Sequence, residues 1–389
     1  MPSTMELIAT ILFVLAIIHT FSVPVFAKLA HKPGPHAGIW HLMSEVEAVF
    51  GVWAAVLIVF MAASSGVDSA VEYMDTRNFT EPLFVFTIMV VAASRPILDM
   101  VNGIVRYLAR VVPVQTEVAT FFITLSLVPL AGSFITEPAA MTLAALMLRE
   151  AYFSRSGNVR FKYLTIGVLF VNISIGGVLT SYAAPPVLMV AQTFGWDTTY
   201  MATHFGWRAA IAVIINALAI TLICRKDIIA RTVGTGRGIN DHADDEVKPR
   251  QPVPIIFMVI HTLFLISVVV FAHHPAIFIG LLMLFIGFCS AYSRHQSPLM
   301  IKEGLMVGFF LAGLIILGGL QKWWLQDLLA GMSPMALFWG STALTAITDN
   351  AALTYLGSLV EGTNEVWRYM LVAGAVTGGG LTVIANAPN

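Results

Sequence analysis

SFITEPAA, at residues 133–140, places a carboxylate beside a proline in the middle of an apolar run. A second copy, TAITDNAA, lies 212 residues later at residues 345–352. When residues 135–142 are aligned with residues 347–354, five of the eight positions are identical and a glutamate is exchanged for an aspartate. Acidic residues are rare in apolar segments and usually functional there, so two of them at equivalent places of an internal repeat indicate a site.

A second pair of motifs repeats at nearly the same spacing. GGVLTSYAAPP at residues 176–186 matches GGGLTVIANAP at residues 378–388, with six identities in eleven positions at a spacing of 202. Both copies contain glycine and proline where an unbroken spanning helix would otherwise continue. Interrupted apolar segments at matching places in two halves are typical of the binding site of a secondary transporter.

Composition places the chain among membrane proteins. Of its 389 residues, 58% are hydrophobic and 11% are charged, and the mean hydropathy is +0.83. A soluble domain carries about 25% charged residues. The net charge of −1 and the lack of a basic run exclude a nucleic-acid-binding surface. Cys224 and Cys289 lie in apolar runs, so no disulfide or cysteine metal site is expected. We predict neither an enzyme nor a cofactor.

The apolar segments predict an all-α polytopic protein, because about 17–25 apolar residues are needed for a helix to cross a bilayer. Two further regions, 117–148 and 334–360, are too short to cross and return as two ordinary spans, and each holds one acidic motif near its centre. We therefore interpret both as re-entrant hairpins. The predicted spans lie near residues 5–27, 45–64, 83–94, 161–178, 206–224, 254–272, 275–290, 304–320 and 366–379.

The distribution of basic residues predicts how these segments are oriented. With the N-terminus outside, 17 of the 21 Lys and Arg residues fall on the inner side and four on the outer side, as the positive-inside rule requires. The same arrangement makes the first hairpin enter from the cytoplasm and the second from the opposite face. The sequence thus predicts two inverted-topology repeats in a multi-pass protein of the bacterial inner membrane. The amphipathic stretches 95–110 and 321–330 are expected to lie along its surfaces.

The predicted domain organisation follows from the repeat. The second repeat stops about 30 residues short of the first, near the membrane midplane, so a longer gene product is expected. The predicted parts are N-terminal scaffold helices at 1–82, a first repeat at 83–224 with hairpin 117–148 and broken helix 161–194, a cytoplasmic linker at 225–253, and a second repeat at 254–389 with hairpin 334–360 and broken helix 366–389.

Hairpin tips and broken helices expose oxygen atoms that suit a cation such as sodium. Glu137 and Asp349 supply the negative charge and are the candidates for proton coupling. Burial favours a protonated carboxyl and a bound cation favours the carboxylate, so one acid could exchange a proton for sodium. We favour Asp349, because Asn350 adds a second oxygen ligand. The predicted ion ligands are Ser133, Thr136, Thr180, Ser181, Thr348, Asn350, Thr382 and Asn386.

Structural explanations for the same residues stay open. Each acid precedes an alanine-rich helical run and could serve as a helix N-cap. Each hydroxyl could bond back to its own helix. A cationic substrate is nevertheless favoured over an anionic one, because the stretches around both motifs contain no basic residue. Lys and Arg are absent from 111–148, 163–207, 323–367 and 369–389.

The four motif regions resemble the ion-transporter superfamily, and in particular its sodium/proton antiporter branch. The similarity rests on residues 132–148, 174–191, 342–360 and 377–389 and covers most of the chain from about residue 83 onward. Carboxylate-transporting relatives carry Ser-Asn-Thr at each tip, where this chain has Ile-Thr-Glu-Pro and Ile-Thr-Asp-Asn. The resemblance implies a homodimer in which a transport domain moves like an elevator against a scaffold.

The function predicted from the sequence is exchange of sodium for protons by alternating access. The alternative is a sodium-coupled symporter of a small organic anion such as a dicarboxylate. The expected partners are sodium ions, protons, the lipid bilayer and a second copy of the chain.

Overall fold

The computed structural model describes residues 2–32, 34–154, 158–229, 252–382 and residue 385. Within these ranges the chain is helical and contains no strand. The α-helices, numbered in chain order, are α1 (Thr4–Ala30), α2 (Ala37–Met43), α3 (Val49–Ser65), α4 (Val67–Asp75), α5 (Thr80–Ala92), α6 (Arg95–Val111), α7 (Thr116–Ile135), α8 (Glu137–Leu148), α9 (Val159–Gly176), α10 (Pro185–Phe194), α11 (Thr198–Met201), α12 (Trp207–Ile223), α13 (Arg225–Ile229), α14 (Ile255–Val270), α15 (Pro275–Ala291), α16 (Ile301–Gly318), α17 (Lys322–Leu329), α18 (Pro334–Thr345), α19 (Asn350–Ser358) and α20 (Glu365–Gly378).

Several of these helices can cross a membrane. Among the described residues, six helical segments are long and apolar enough, and a seventh is obtained if α5 and α6, which are bent by 63°, form one span. The helices α14 and α15 are apolar but shorter. Each of the nine predicted spans coincides with a helix to within a few residues. The predicted class, an all-α polytopic membrane protein, is therefore confirmed.

The first predicted hairpin consists of α7 and α8, which pack against each other and meet at Thr136. Its first arm is longer than expected. With 20 residues and high hydropathy, α7 is long enough to cross the membrane by itself, at about 1.5 Å per residue. The reason is that Pro129 lies inside α7 without ending it. The second hairpin is made of the short helices α18 and α19, with 12 and 9 residues.

The predicted broken helix 161–194 is also interrupted in the structure. A 3₁₀ turn at Gly177–Leu179 follows α9, the chain is irregular over residues 180–184, and α10 begins at Pro185. In the second half α20 ends at Gly378, just before the matching glycines. The predicted linker 225–253 begins with α13, and its residues 230–251 lie outside the described part of the chain.

Packing joins the hairpins to the broken helices of both halves. The arm α7 packs on α9, and its counterpart α18 packs on α20. Contacts also cross between the halves, because α10 packs against α19. Elsewhere α16 packs on α3 and α5. A Cβ atom on Gly313 of α16 would lie 2.6 Å from the Gly51 Cα atom, so glycine allows these two backbones to touch.

Candidate functional site

Residues 133–140, here called tip 1, contain a strained backbone at Thr136. Its φ of 72° is the only positive value at a non-glycine residue among the described residues. Such a conformation in a β-branched residue costs about 1–3 kcal/mol and is typical of functional sites. The Thr136 side chain is 3% exposed, and its hydroxyl has no hydrogen-bond partner within the described residues. A buried polar oxygen without a partner is unusual, and a bound water or ion is one explanation for it.

Glu137 is the first residue of α8 and is only 1% exposed. Its side chain lies against Gly177, where α9 ends. A Cβ atom at Gly177 would lie 2.7 Å from Glu137 Cγ and would also overlap Oε1. The carboxyl group thus fills the space that a side chain at residue 177 would need. Glycine at this position is what allows the acid to approach the end of α9.

Ser133 and Thr180 tie tip 1 to the break after α9. The Ser133 hydroxyl donates to Gly176 O at 2.7 Å and accepts from Leu179 N at 2.9 Å. The Thr180 hydroxyl donates to Ser133 O at 2.6 Å. These bonds satisfy backbone groups that lose their helical partners where α7 ends and where α9 stops. Both predicted ligands are therefore buried beside Glu137, and both take part in holding the break together.

Ser181, although adjacent in sequence, does not join this group. Its hydroxyl is 3.2 Å from Thr198 Oγ1, and it lines a separate cavity of 590 Å³ together with Glu81 and His273. The structure thus brings Ser133 and Thr180 to the break at residues 176–180, which Glu137 approaches at Gly177, and places Ser181 outside this cluster.

Residues 345–352, here called tip 2, contain Asp349, whose carboxyl group has a different position from that of Glu137. Asp349 is the N-cap of α19, and its Oδ1 atom accepts hydrogen bonds from Ala351 N at 2.8 Å and Ala352 N at 3.1 Å. This is the helix-cap alternative, and one carboxylate oxygen of Asp349 fulfils it. The side chain is 8% exposed.

Two other side chains of tip 2 are buried with unused polar atoms. Asn350 is 1% exposed, and neither its amide oxygen nor its amide nitrogen has a hydrogen-bond partner within the described residues. The Thr345 hydroxyl, on a fully buried side chain, likewise has none there. The backbone N–H of Asn350 donates to Ala385 O at 2.9 Å, which ties tip 2 to the segment after α20. Buried groups of this kind are normally satisfied, so a cation ligand set is a natural role for these oxygens.

The remaining predicted ligands lie at the edge of tip 2. Thr348 donates to Leu344 O at 3.0 Å, within its own chain segment, and Thr382 is exposed and donates to Ala346 O at 2.8 Å. Asn386 lies outside the described residues. The hydroxyl oxygens of Thr348 and Thr382 keep lone pairs but already have structural hydrogen bonds.

The two halves meet at Gly379, the repeat equivalent of Gly177. A Cβ atom there would lie 2.7 Å from Asn350 Nδ2 and would overlap Ser174 Oγ. The Ser174 hydroxyl donates to Val376 O at 2.8 Å, so it joins α9 directly to α20. Neither Ser174 nor Thr345 was among the predicted ligands. The signal for Thr345 was present, because it is the repeat partner of Ser133.

Comparison with known proteins assigns the chain to a family. Its sequence matches the family model described as "Putative Na+/H+ antiporter" over residues 4–389, which is nearly its whole length. No curated protein matches it. By this match, the chain belongs to the Na⁺/H⁺ antiporter family of that description.

Proposed function

We propose that the protein exchanges sodium ions for protons by alternating access, and that Glu137 carries the exchanged proton. The observation behind this proposal is the placement of Glu137, which is almost fully buried against the break of α9 at Gly177. Next to it lies the Thr136 hydroxyl, which has no hydrogen-bond partner within the described residues. A buried acid beside an unused oxygen at a helix break is a suitable place for a proton and a cation to compete.

The sequence pattern favours Asp349 as the proton carrier. The surroundings of the two acids in the structure support Glu137 instead. Asp349 Oδ1 is held by two backbone N–H groups of α19, so this side chain has a structural task. Glu137 sits inside the first turn of α8 and reaches away from its own helix toward α9. We therefore place sodium at both tips and the exchangeable proton at tip 1.

The chemistry of one cycle follows from the oxygen atoms available. Sodium entering tip 1 meets the Thr136 hydroxyl and the Glu137 carboxyl, which releases its proton as the cation binds. At tip 2 the Asn350 amide oxygen and the Thr345 hydroxyl supply neutral ligands. When sodium leaves toward the other face, Glu137 takes up a proton there, and the site returns in its protonated form.

An inverted pair of repeats is part of the proposal. The elements α5 to α9 recur in the same order as α16 to α20. Ser174 and Val376, which are equivalent in the two motifs, are joined by a hydrogen bond, as expected for residues beside a two-fold axis. Cysteine substitutions at Lys162 and Glu361 should react with impermeant reagents from opposite membrane faces. Reaction of both from one face would rule out the inverted arrangement.

Reconstitution into proteoliposomes tests the function. Adding sodium outside proton-loaded vesicles should drive proton efflux in the wild type, and Glu137→Gln should abolish it while a matched change, Glu117→Gln at the start of α7, should not. Exchange should fall at low pH, where protons block sodium entry, and at high pH, where proton return is slow. Sodium-dependent uptake of a labelled dicarboxylate without proton efflux would instead identify the symporter alternative.

A further inference from the structure

A cavity of 250 Å³ approaches tip 1 from one membrane face. It lies between the start of α3, α5, α8 and the start of α16. Its inner wall includes Pro138, the residue after Glu137, and Thr142 one turn further along α8. Its outer part is formed near Glu45 and Lys302, at the beginnings of the spans Val46–Ser65 and Ile301–Gly318. The basic-residue distribution predicts that this face is cytoplasmic.

The charged side chains of this cavity are mostly acidic. Glu45, Glu47 and Glu303 line it, together with one base, Lys302. The Lys302 ammonium lies 3.2 Å from Glu45 Oε1, and His41 Nδ1 lies 3.5 Å from the same oxygen. Within the described residues neither Glu47 nor Glu303 forms an ion pair, so these two carboxylates leave the cavity with a negative field. Three methionines and Val307 form the apolar part of the lining, and apolar walls concentrate such a field.

A second observation concerns the residues just before Pro138, which lie behind the inner wall and do not line the cavity. The Thr136 hydroxyl, two residues before Pro138, is buried and has no hydrogen-bond partner within the described residues. The acidic cavity therefore ends against tip 1 at Pro138, which directly follows the buried Glu137 in the chain.

We propose that this cavity is the route by which monovalent cations reach Glu137 from this face, and that Glu47 and Glu303 attract them. The proposal rests on the sodium–proton exchange proposed above. Lys302 has the opposite effect, because its ammonium neutralises Glu45 and lowers the local cation concentration. None of the three residues touches the ion site, so they change how readily sodium arrives and leave the exchange step itself intact.

The field of the cavity can be measured without transport. In a Cys224→Ala, Cys289→Ala background, Thr142→Cys should react about tenfold faster with a cationic thiosulfonate than with an anionic one of similar size. Adding Glu47→Gln and Glu303→Gln should remove most of this preference, and Lys302→Gln should increase it. The matched control is Glu117→Gln, which removes a carboxylate that does not line the cavity. Equal rates for both reagents in all variants would overturn the proposal.

Transport gives the second measurement. Glu47→Gln and Glu303→Gln should each raise the apparent KM for sodium by about threefold with an unchanged maximal rate, and high ionic strength should reduce this difference by screening. An unchanged KM in an actively exchanging double variant would overturn the route while the proposed function stands. Charge-selective labelling in a protein that shows no exchange at all would support the cation-attracting cavity and overturn the proposed function.

Discussion

Tip 1 and tip 2 carry the same motif but are built differently. In tip 1 the 20-residue arm α7 packs against α8, and the chain turns through the strained Thr136. In tip 2 the short arm α18 packs mainly on α20 and α19 packs on α10, so the tip is held by its neighbours. The tip 1 acid begins a helix, whereas the tip 2 acid caps one.

The length of the acidic side chain explains much of this difference. Aspartate is short enough to fold back on the first turn of its own helix, and it is among the preferred N-cap residues. Glutamate has one more methylene group, and Glu137 extends from α8 to the glycine at the end of α9. A single Glu/Asp exchange thus turns one acid toward a neighbouring helix and the other toward its own.

The polar residues around the two acids also differ between the tips. The Ser133 hydroxyl donates one hydrogen bond and accepts another at the break after α9, whereas its counterpart Thr345 has no hydrogen-bond partner within the described residues. Pro138 has no N–H group, whereas its counterpart Asn350 donates its N–H to Ala385 O and keeps an unused side-chain amide. Tip 1 thus presents a positioned acid, and tip 2 presents the neutral oxygens of Thr345 and Asn350.

The largest effect on exchange is expected for Gly177→Ala, which displaces the Glu137 side chain of tip 1. The added Cβ atom would lie 2.7 Å from Glu137 Cγ, so the acid must move away from the break. We expect exchange to be nearly abolished and the protein to be destabilised by about 1–3 kcal/mol, as overpacking typically costs. Proteoliposome exchange and the Tm measure the two effects. The control is Gly167→Ala within α9, where an added Cβ atom meets nothing within 4 Å, and it should keep both at wild-type values. Full exchange by Gly177→Ala would remove Glu137 from the mechanism.

An intermediate effect is expected at tip 2 from Thr345→Val and Asn350→Ala. Each change removes a buried oxygen that we assign to sodium, and the loss of one such partner is worth about 1 kcal/mol, or roughly fivefold in affinity. The apparent KM for sodium should rise by that factor while the pH dependence of exchange stays the same. Thr348→Val is the control, because its hydroxyl already bonds to Leu344 O. A raised KM in the control alone would contradict the assignment.

The smallest effect is expected from changing the cap. Asp349→Ala removes the acceptor for two backbone N–H groups and should lower the free energy of unfolding by about 1 kcal/mol. Asp349→Asn keeps an oxygen at the same place and should be close to the wild type in Tm. Exchange should persist in Asp349→Asn at a reduced rate. A stable but completely inactive Asp349→Asn variant would instead show that Asp349 carries the exchanged proton, and would contradict its assignment to Glu137.

The sequence predicts the helical spans and the interruption after α9 because both depend on local composition, whereas the re-entrant hairpins stay a prediction. Hydropathy and length locate α1, α3, α9 and α16, and glycine and proline at matching places locate the interruptions. The sequence does not show where the first arm of 117–148 ends, because a proline inside an apolar run does not tell whether the helix continues past it.

The side-chain arrangement was less accessible from the sequence. Ser174 joins Val376 across 202 residues, and Ser181 turns toward a different cavity from its neighbour Thr180. Hydroxyl residues have no periodic pattern that tells which neighbour they will bond. Their partners depend on how distant segments pack, which a local motif does not contain.

The most direct test of the account is the number of protons released when sodium binds to the purified protein. In weakly buffered solution, sodium added to the wild type should release protons, and a pH indicator measures them without any membrane. The account predicts release from the wild type and from Asp349→Asn, and none from Glu137→Gln. Release from Glu137→Gln equal to that of the wild type would contradict the assignment of the exchanged proton to Glu137.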